Sequence, residues 1–192
     1  MPSPSLVLAT RNAHKVTEVS RILGVELAGS DEDVPETGLT FADNALLKAR
    51  AVAAATGLPA VADDSGLCVN ALNGMPGILS ARWAGQHGAD AANLDLVLAQ
   101  IADIPDDARG AQFVCVAALA LPSGQAWTCT GVVHGALIRS PRGTGGFGYD
   151  PIFVPSGETR TTAEMTPEEK DAISHRGRAF RALAPLIATH LL

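Results

Sequence analysis

No apolar run in the 192-residue sequence comes near the length of a membrane span. The first apolar stretch, Leu6 to Ala9, meets Arg11 before it is as long as a signal peptide's hydrophobic region, so a soluble cytoplasmic protein is the expectation. Cysteine is scarce. Cys68, Cys115 and Cys129 are odd in number, far apart and set in apolar segments, which argues against a disulfide framework or a zinc site and for reduced core thiols. An excess of basic charge is missing too: the formal net charge of −6 and the pI near 5.3 argue against the broad basic surface that a nucleic-acid polymer requires. A single nucleotide, which needs only a few local cations, stays open. No linker composition divides the chain, and 47% hydrophobic residues suffice to fill a core, so residues 1–192 read as one domain.

What is present centres on Ala60-Val61-Ala62-Asp63-Asp64-Ser65-Gly66-Leu67, a short buried strand running into two adjacent carboxylates and a turn. At a strand end the backbone turns, so both Asp63 and Asp64 can reach one crevice beyond the carboxyl edge, provided a cation joins them. The alternative is a solvated Asp63 and an Asp64 that forms an Asx-turn with Ser65-Gly66. Upstream, Leu6 to Ala9 reads as a strand, and Val16, Val19, Ile22 and Leu23 mark one face of a helix ended by Gly24. Between them lies Thr10-Arg11-Asn12-Ala13-His14-Lys15. A strand, a polar turn and a helix start can bind an anion through helix amides and these cations, although the glycines of a Walker loop are absent and an ordinary turn has the same form. Val25 to Ala28 is a candidate short strand, and the acidic loop to Gly38 carries Glu36. Thr40 is placed to cap a helix ended by Gly57 and Pro59, with Asn44, Lys48 and Arg50 on faces where solvation is the default.

Beyond the acidic pair, Leu67 to Leu72 reads as extended and Ala91 to Ile101 as a helix. Phe113 to Leu121 and Trp127 to Val133 form a hairpin around Pro122-Ser123-Gly124, which points to a mixed sheet in an α/β fold. Four glycines from Gly143 to Gly148 allow close approach to a ligand, with Phe147 and Tyr149 able to offer rings to a flat base; a surface loop with buried aromatics fits the same pattern. Thr166-Pro167-Glu168-Glu169 is a helix start with a capping box, followed by Lys170 and Ser174-His175-Arg176-Gly177.

Six segments, in this order, resemble the inosine triphosphate pyrophosphatase family: TRNAHK (Thr10 to Lys15), ETGLTF (Glu36 to Phe41), VADDSGL (Val61 to Leu67), the turn-rich GMPGILSAR (Gly74 to Arg82), GGFGYDP (Gly145 to Pro151) and SHRG (Ser174 to Gly177). The resemblance spans nearly the whole chain; Arg11 stands where many relatives have glycine. It implies an elongated mixed β-sheet flanked by helices, two lobes around a central substrate cleft, and a homodimer. It also implies hydrolysis of non-standard purine nucleoside triphosphates (ITP, dITP, XTP) to the monophosphate and pyrophosphate, which clears them from the nucleotide pool. Asp64 is then the proton acceptor that activates water, and Asp64, Glu36 and Asp63 hold Mg2+, since an acidic pocket binds a triphosphate only through a divalent ion. Thr10, Arg11, Asn12, Ala13, His14 and Lys15 would cradle phosphates, with Ser65 at the same end. Phe147, Gly148, Tyr149, Asp150, Lys170, His175 and Arg176 would form the nucleotide and base pocket. Two other classes fit parts of the pattern: a receiver domain, which also pairs aspartates at a strand end, and a non-catalytic nucleotide sensor. The first lacks its regular alternation of strand and helix here, and pyrophosphate release separates the enzyme from both.

Overall fold

Local signals decide several helix ends. The structure, a computed structural model, describes residues 6–191; the stretch before Leu6, which bears on any leader segment, lies outside the described residues. The elements are β1 (Val7–Leu8), α1 (Ala13–Leu23), β2 (Ala28–Gly29), α2 (Phe41–Thr56), β3 (Ala60–Val69), α3 (Asp90–Gln100), β4 (Gly110–Ala120), β5 (Ala126–Leu137), β6 (Phe153–Pro155), α4 (Pro167–Ile173) and α5 (His175–Leu191). The Thr40 hydroxyl caps α2 by accepting from the Asp43 amide, and Gly57 closes it in the left-handed region at φ 68°. Thr166 and Glu169 exchange the two bonds of a capping box at the start of α4, as their spacing predicts.

The strands form one six-stranded sheet in the order β2-β1-β3-β4-β5-β6. It is mixed: β2 and β3 run parallel to β1, and β6 runs antiparallel to β5. The connection Leu121–Gln125 is too short for a crossover, so β4 and β5 form the expected hairpin. The fold is α/β, a mixed sheet flanked by helices.

The described residues divide into two compact units, neither of them a continuous stretch. The first takes the chain up to Asp64, Cys115–Gly131 and the chain from His175 on; the second takes Ser65–Val114 and Val132–Ser174. In the first unit, strand alternation assigns every apolar residue to a side. Leu6, Leu8, Val61, Cys115, Ala117 and Leu119 pack with Val19 of α1 and with Ala179, Phe180 and Leu183 of α5. Val7, Ala9, Ala60, Ala62, Val116, Ala118 and Ala120 pack with Ala45, Ala49, Val52 and Ala53 of α2. Burying Phe180 and Leu183 fully contributes about 1.5–3 kcal/mol each. The core of the second unit joins Leu94 and Val97 of α3 to Leu67, Val69, Phe113, Leu137, Tyr149 and Phe153.

Three expectations change. The strand after Gly24 is Ala28–Gly29 rather than Val25 to Ala28, because only those residues pair with β1. The extended stretch beyond the acidic pair ends at Val69, and Asn70–Leu72 is a single 3-10 turn. Most important, β3 does not end at the aspartates; it continues through Ser65 and Gly66 to Val69. Gly66 makes no turn. A Cβ there would collide with the carbonyl oxygen of Gly77 and the Ser80 hydroxyl, so close approach is what requires glycine.

Candidate active site

Since β3 runs straight through them, Asp63 and Asp64 point to opposite faces of the sheet. Asp63 follows Val61 to the α1 and α5 side, and Asp64 follows Ala62 to the α2 side. One crevice therefore does not receive both side chains from a turn, and each carboxylate has its own partners.

Asp63 is 2% exposed and meets two cations. Arg176 Nε and Nη2 donate to its Oδ2 at 3.3 and 3.1 Å, and Lys15 Nζ lies 3.1 Å away. Arg176 also donates from Nη1 to Glu18 Oε2 at 2.8 Å. Burial alone would raise the pKa of Asp63; Lys15 and Arg176 outweigh it and hold the carboxyl far below the usual range. Burial would likewise lower Arg176, but Asp63 and Glu18 drive it upward. Cys115 completes the cluster, its Sγ 3.9 Å from Asp63 Oδ2; burial, then the Asp63 charge, pushes its pKa up, so the thiol stays protonated as a weak donor. The described cysteines are free thiols, as expected.

The cluster sets a pH dependence. The folded-state pKa of Asp63 lies below its ordinary value of 3.8, so its stabilisation is complete above that value and is lost as pH falls below it toward the folded pKa. Urea midpoints should hold near neutrality and fall steeply below about pH 4; a flat profile down to pH 2 would contradict the ion cluster.

Asp64 is 6% exposed and lies among donors of α2. Asn44 Nδ2 donates to Oδ2 at 3.2 Å, and Lys48 Nζ lies 3.3 Å from Oδ1 and 2.7 Å from Glu36 Oε1. Burial raises the pKa of Asp64, Lys48 pulls it back, and Glu36 adds to the rise; the net direction is upward. For Lys48, burial lowers the pKa, but Asp64, Asp63 and Glu36 together raise it, which keeps the ammonium charged. Asn44 and Lys48 are one helical turn apart and so share a face of α2, and Asn44 Oδ1 also accepts from the Gly38 amide at 2.8 Å, fixing the loop that carries Glu36. Sequence reasoning left both residues to solvent. Their i, i+4 spacing upstream of an acidic strand was the signal that could have found them.

Sheet order explains why this charge collects here. The parallel set β2-β1-β3 has α1 on one face and α2 on the other, so the boundary between β1 and β3 is a switch point, where α/β sheets bind ligands beyond the carboxyl ends of strands. Thr10 to Lys15 leaves β1 at that point. The turn is not an open set of amides, however: Asn12 Oδ1 takes the His14 and Lys15 amides at 2.9 and 3.3 Å, and Thr10 Oγ1 takes that of Asn12 at 3.2 Å. Arg11 and Asp33 form an exposed pair at 2.6 Å.

The family model described as the Ham1 family matches residues 6–186. The chain belongs to the Ham1 family. Among its relatives it is 65% identical to a dITP/XTP pyrophosphatase of Streptomyces coelicolor, over 95% of this chain and 96% of that protein. It is 55% identical to a dITP/XTP pyrophosphatase of Nocardia farcinica, over 98% and 97% of the two chains. A solved nucleoside-triphosphatase / dITP/XTP pyrophosphatase of Mycobacterium abscessus is 57% identical, with a TM-score of 0.75 and 95% and 98% of the two chains covered. A HAM1 protein of Coxiella burnetii is 43% identical, with a TM-score of 0.86 over 96% and 98%.

The expected site residues of this Ham1 chain fall in two groups. Thr10 to Lys15, Glu36, Asp63, Asp64, His175 and Arg176 belong to the first unit; Ser65, Phe147, Gly148, Tyr149, Asp150 and Lys170 belong to the second. Within the second, Asp150 is buried and accepts from Lys170 Nζ at 2.6 Å, Thr162 Oγ1 at 2.8 Å and the Phe147 amide at 2.9 Å. Lys170 Nζ lies 5.1 Å from the centroid of the Phe147 ring. Tyr149 cannot lay its ring against a base: it is part of the core, and its hydroxyl donates to the Ser80 carbonyl at 2.8 Å. Arg176 is buried and bonds to Asp63 and Glu18. Among the described residues, no group of three or more His, Cys, Asp or Glu is placed to hold a metal ion. Glu36 and Asp64 nonetheless converge on one cationic group, the Lys48 ammonium, and two carboxylates with substrate phosphates form the donor set magnesium uses. Asp63 faces the other way, toward Lys15 and Arg176. No described helix is long and apolar enough to cross a membrane.

Proposed function

We propose that this chain hydrolyses non-standard purine nucleoside triphosphates, ITP, dITP and XTP, to the monophosphate and pyrophosphate, with Asp64 as the base that takes a proton from the attacking water. The observation that carries it is the Asp64 environment: a buried carboxylate of raised proton affinity, oriented by Asn44 and Lys48, in a chain 65% identical to a dITP/XTP pyrophosphatase. A base needs affinity for a proton, which burial raises here, while the nearby ammonium favours the ionised form that can accept it.

Asp64 and Glu36 are the residues that would hold Mg2+, which when bound neutralises triphosphate charge that two carboxylates would otherwise repel. Lys48 keeps those carboxylates together, and Lys15, partly exposed at the switch point, adds positive charge for phosphate. Asp63 serves by fixing Lys15 and Arg176. Ser65, His175, Phe147, Gly148, Asp150 and Lys170 are assigned to the substrate by resemblance to the family, as are a homodimer and a cytoplasmic location.

The test is metal-dependent product analysis on a nucleotide panel. With magnesium, ITP, dITP and XTP should each yield one pyrophosphate per monophosphate, with kcat/KM well above those for ATP and GTP. EDTA should stop the reaction and excess magnesium restore it. Inorganic phosphate as the first product, or ATP turned over as well as ITP, would overturn the reading.

A further inference from the structure

Gly143 to Gly148 is held in place without regular secondary structure, by ties from several directions. Gly143, Gly146 and Gly148 take positive φ values of 81°, 70° and 61°. Gly145 donates its amide to the Ala163 carbonyl at 2.9 Å, and Phe147 donates its own to Asp150. Gly143 lies so close to the Ala163 carbonyl, and Gly146 to the Asp150 carboxylate, that a Cβ would collide at either position. Another tie comes from far along the chain: the Gly148 amide donates to Asp90 Oδ2 at 3.0 Å, across 58 positions.

Asp90 is the first residue of α3, and that helix takes no side-chain cap from the preceding Ala89. An acid in a first turn is favoured by the helix dipole, but this carboxylate is directed at a peptide outside its own helix. Consecutive amides, those of Phe147 and Gly148, are thus held by two carboxylates of different character. Asp150 is buried and neutralised by Lys170, whereas Asp90 is exposed and reaches the loop through solvent-accessible space. The exposed tie competes with water and is the weaker one.

We propose that Asp90 is a positioning residue that latches the Phe147–Gly148 peptide, keeps the Phe147 ring over the Lys170 ammonium, and thereby sets the affinity for the nucleoside part of the substrate without entering the chemical step. The kinetic part rests on the pyrophosphatase reading; the latch itself does not. Releasing Gly148 frees a left-handed glycine to sample other conformations, and the entropy lost on binding then rises.

Hydrogen exchange without substrate tests the latch directly. Asp90→Ala should speed exchange of the Gly148 amide about tenfold, since a bond to a charged acceptor is removed at an exposed site. With ITP and magnesium the same variant should raise KM about fivefold and leave kcat within about twofold. Asp90→Asn keeps an oxygen that can accept from Gly148, so it should recover at least half of both effects on a logarithmic scale. Unchanged exchange in Asp90→Ala would overturn the latch, whatever the enzyme does. Faster exchange with kcat reduced and KM unchanged would overturn the assignment to binding. If the parent protein releases no pyrophosphate, the functional reading fails while the exchange result still decides the latch.

Discussion

Asp64→Asn should lower kcat by about 100- to 10,000-fold, the range for loss of a general base, and leave the melting temperature within about 5 °C of the parent. The two halves of this expectation have separate causes. Asparagine has no basic lone pair to take the proton and no full charge to offer a metal. Its fold tolerance comes from the site: the variant amide can present its oxygen to Lys48 or to Asn44 Nδ2 but not to both, so one contact is lost, while Lys48 keeps Glu36 at 2.7 Å. Removing a desolvated charge offsets part of that loss. In the parent, the base form disappears as pH falls through the raised pKa of Asp64, so the acid limb of kcat/KM should lie above the ordinary 3.8. A variant that keeps more than a tenth of the parent rate would remove Asp64 from this role.

Arg176→Met should cost about 3–5 kcal/mol of stability, a large share of the roughly 5–15 kcal/mol that holds a domain of this kind. The methionine matches much of the volume, so the loss is electrostatic. Asp63 keeps Lys15 but loses the guanidinium, and Glu18 loses the same group 2.8 Å from its Oε2, both carboxylates staying buried. Urea unfolding at pH 7 measures the cost. Adding Glu18→Gln removes one of the stranded charges, and the double variant should be less destabilised than the two single losses summed. Additive losses would mean that Arg176 and Glu18 do not act as a pair.

These residues also show what sequence can and cannot reveal. The caps Thr40, Gly57 and Thr166 with Glu169 are legible because donor and acceptor lie within one turn. Asp63 and Asp64 were singled out because an apolar strand runs into two adjacent carboxylates, and the family resemblance gave Asp64 its separate role. The cluster around Asp63 was not legible: Arg176 is 113 positions from Asp63 and 158 from Glu18, and no periodicity links them. Arg176 was singled out beside a glycine and placed in the nucleotide pocket by family resemblance; its bonds to Asp63 and Glu18 were not foreseen. Gly66 misled in the opposite direction. Ser-Gly after two aspartates has the composition of a turn, yet the glycine serves a backbone-to-backbone approach that only the folded chain displays.

The unbroken course of β3 makes the neighbouring aspartates non-interchangeable. Because side chains along a strand alternate sides, inserting or deleting one residue between Ala60 and Asp63 would exchange their environments. The acid that now sits between Asn44 and Lys48 would enter the compartment of Phe180 and Arg176, and the ion-paired anchor would turn toward α2. A chain that conserved both letters but shifted their phase by one would keep the motif as text and lose it as a site, so an alignment of relatives should tolerate gaps on either side of this strand but none within it.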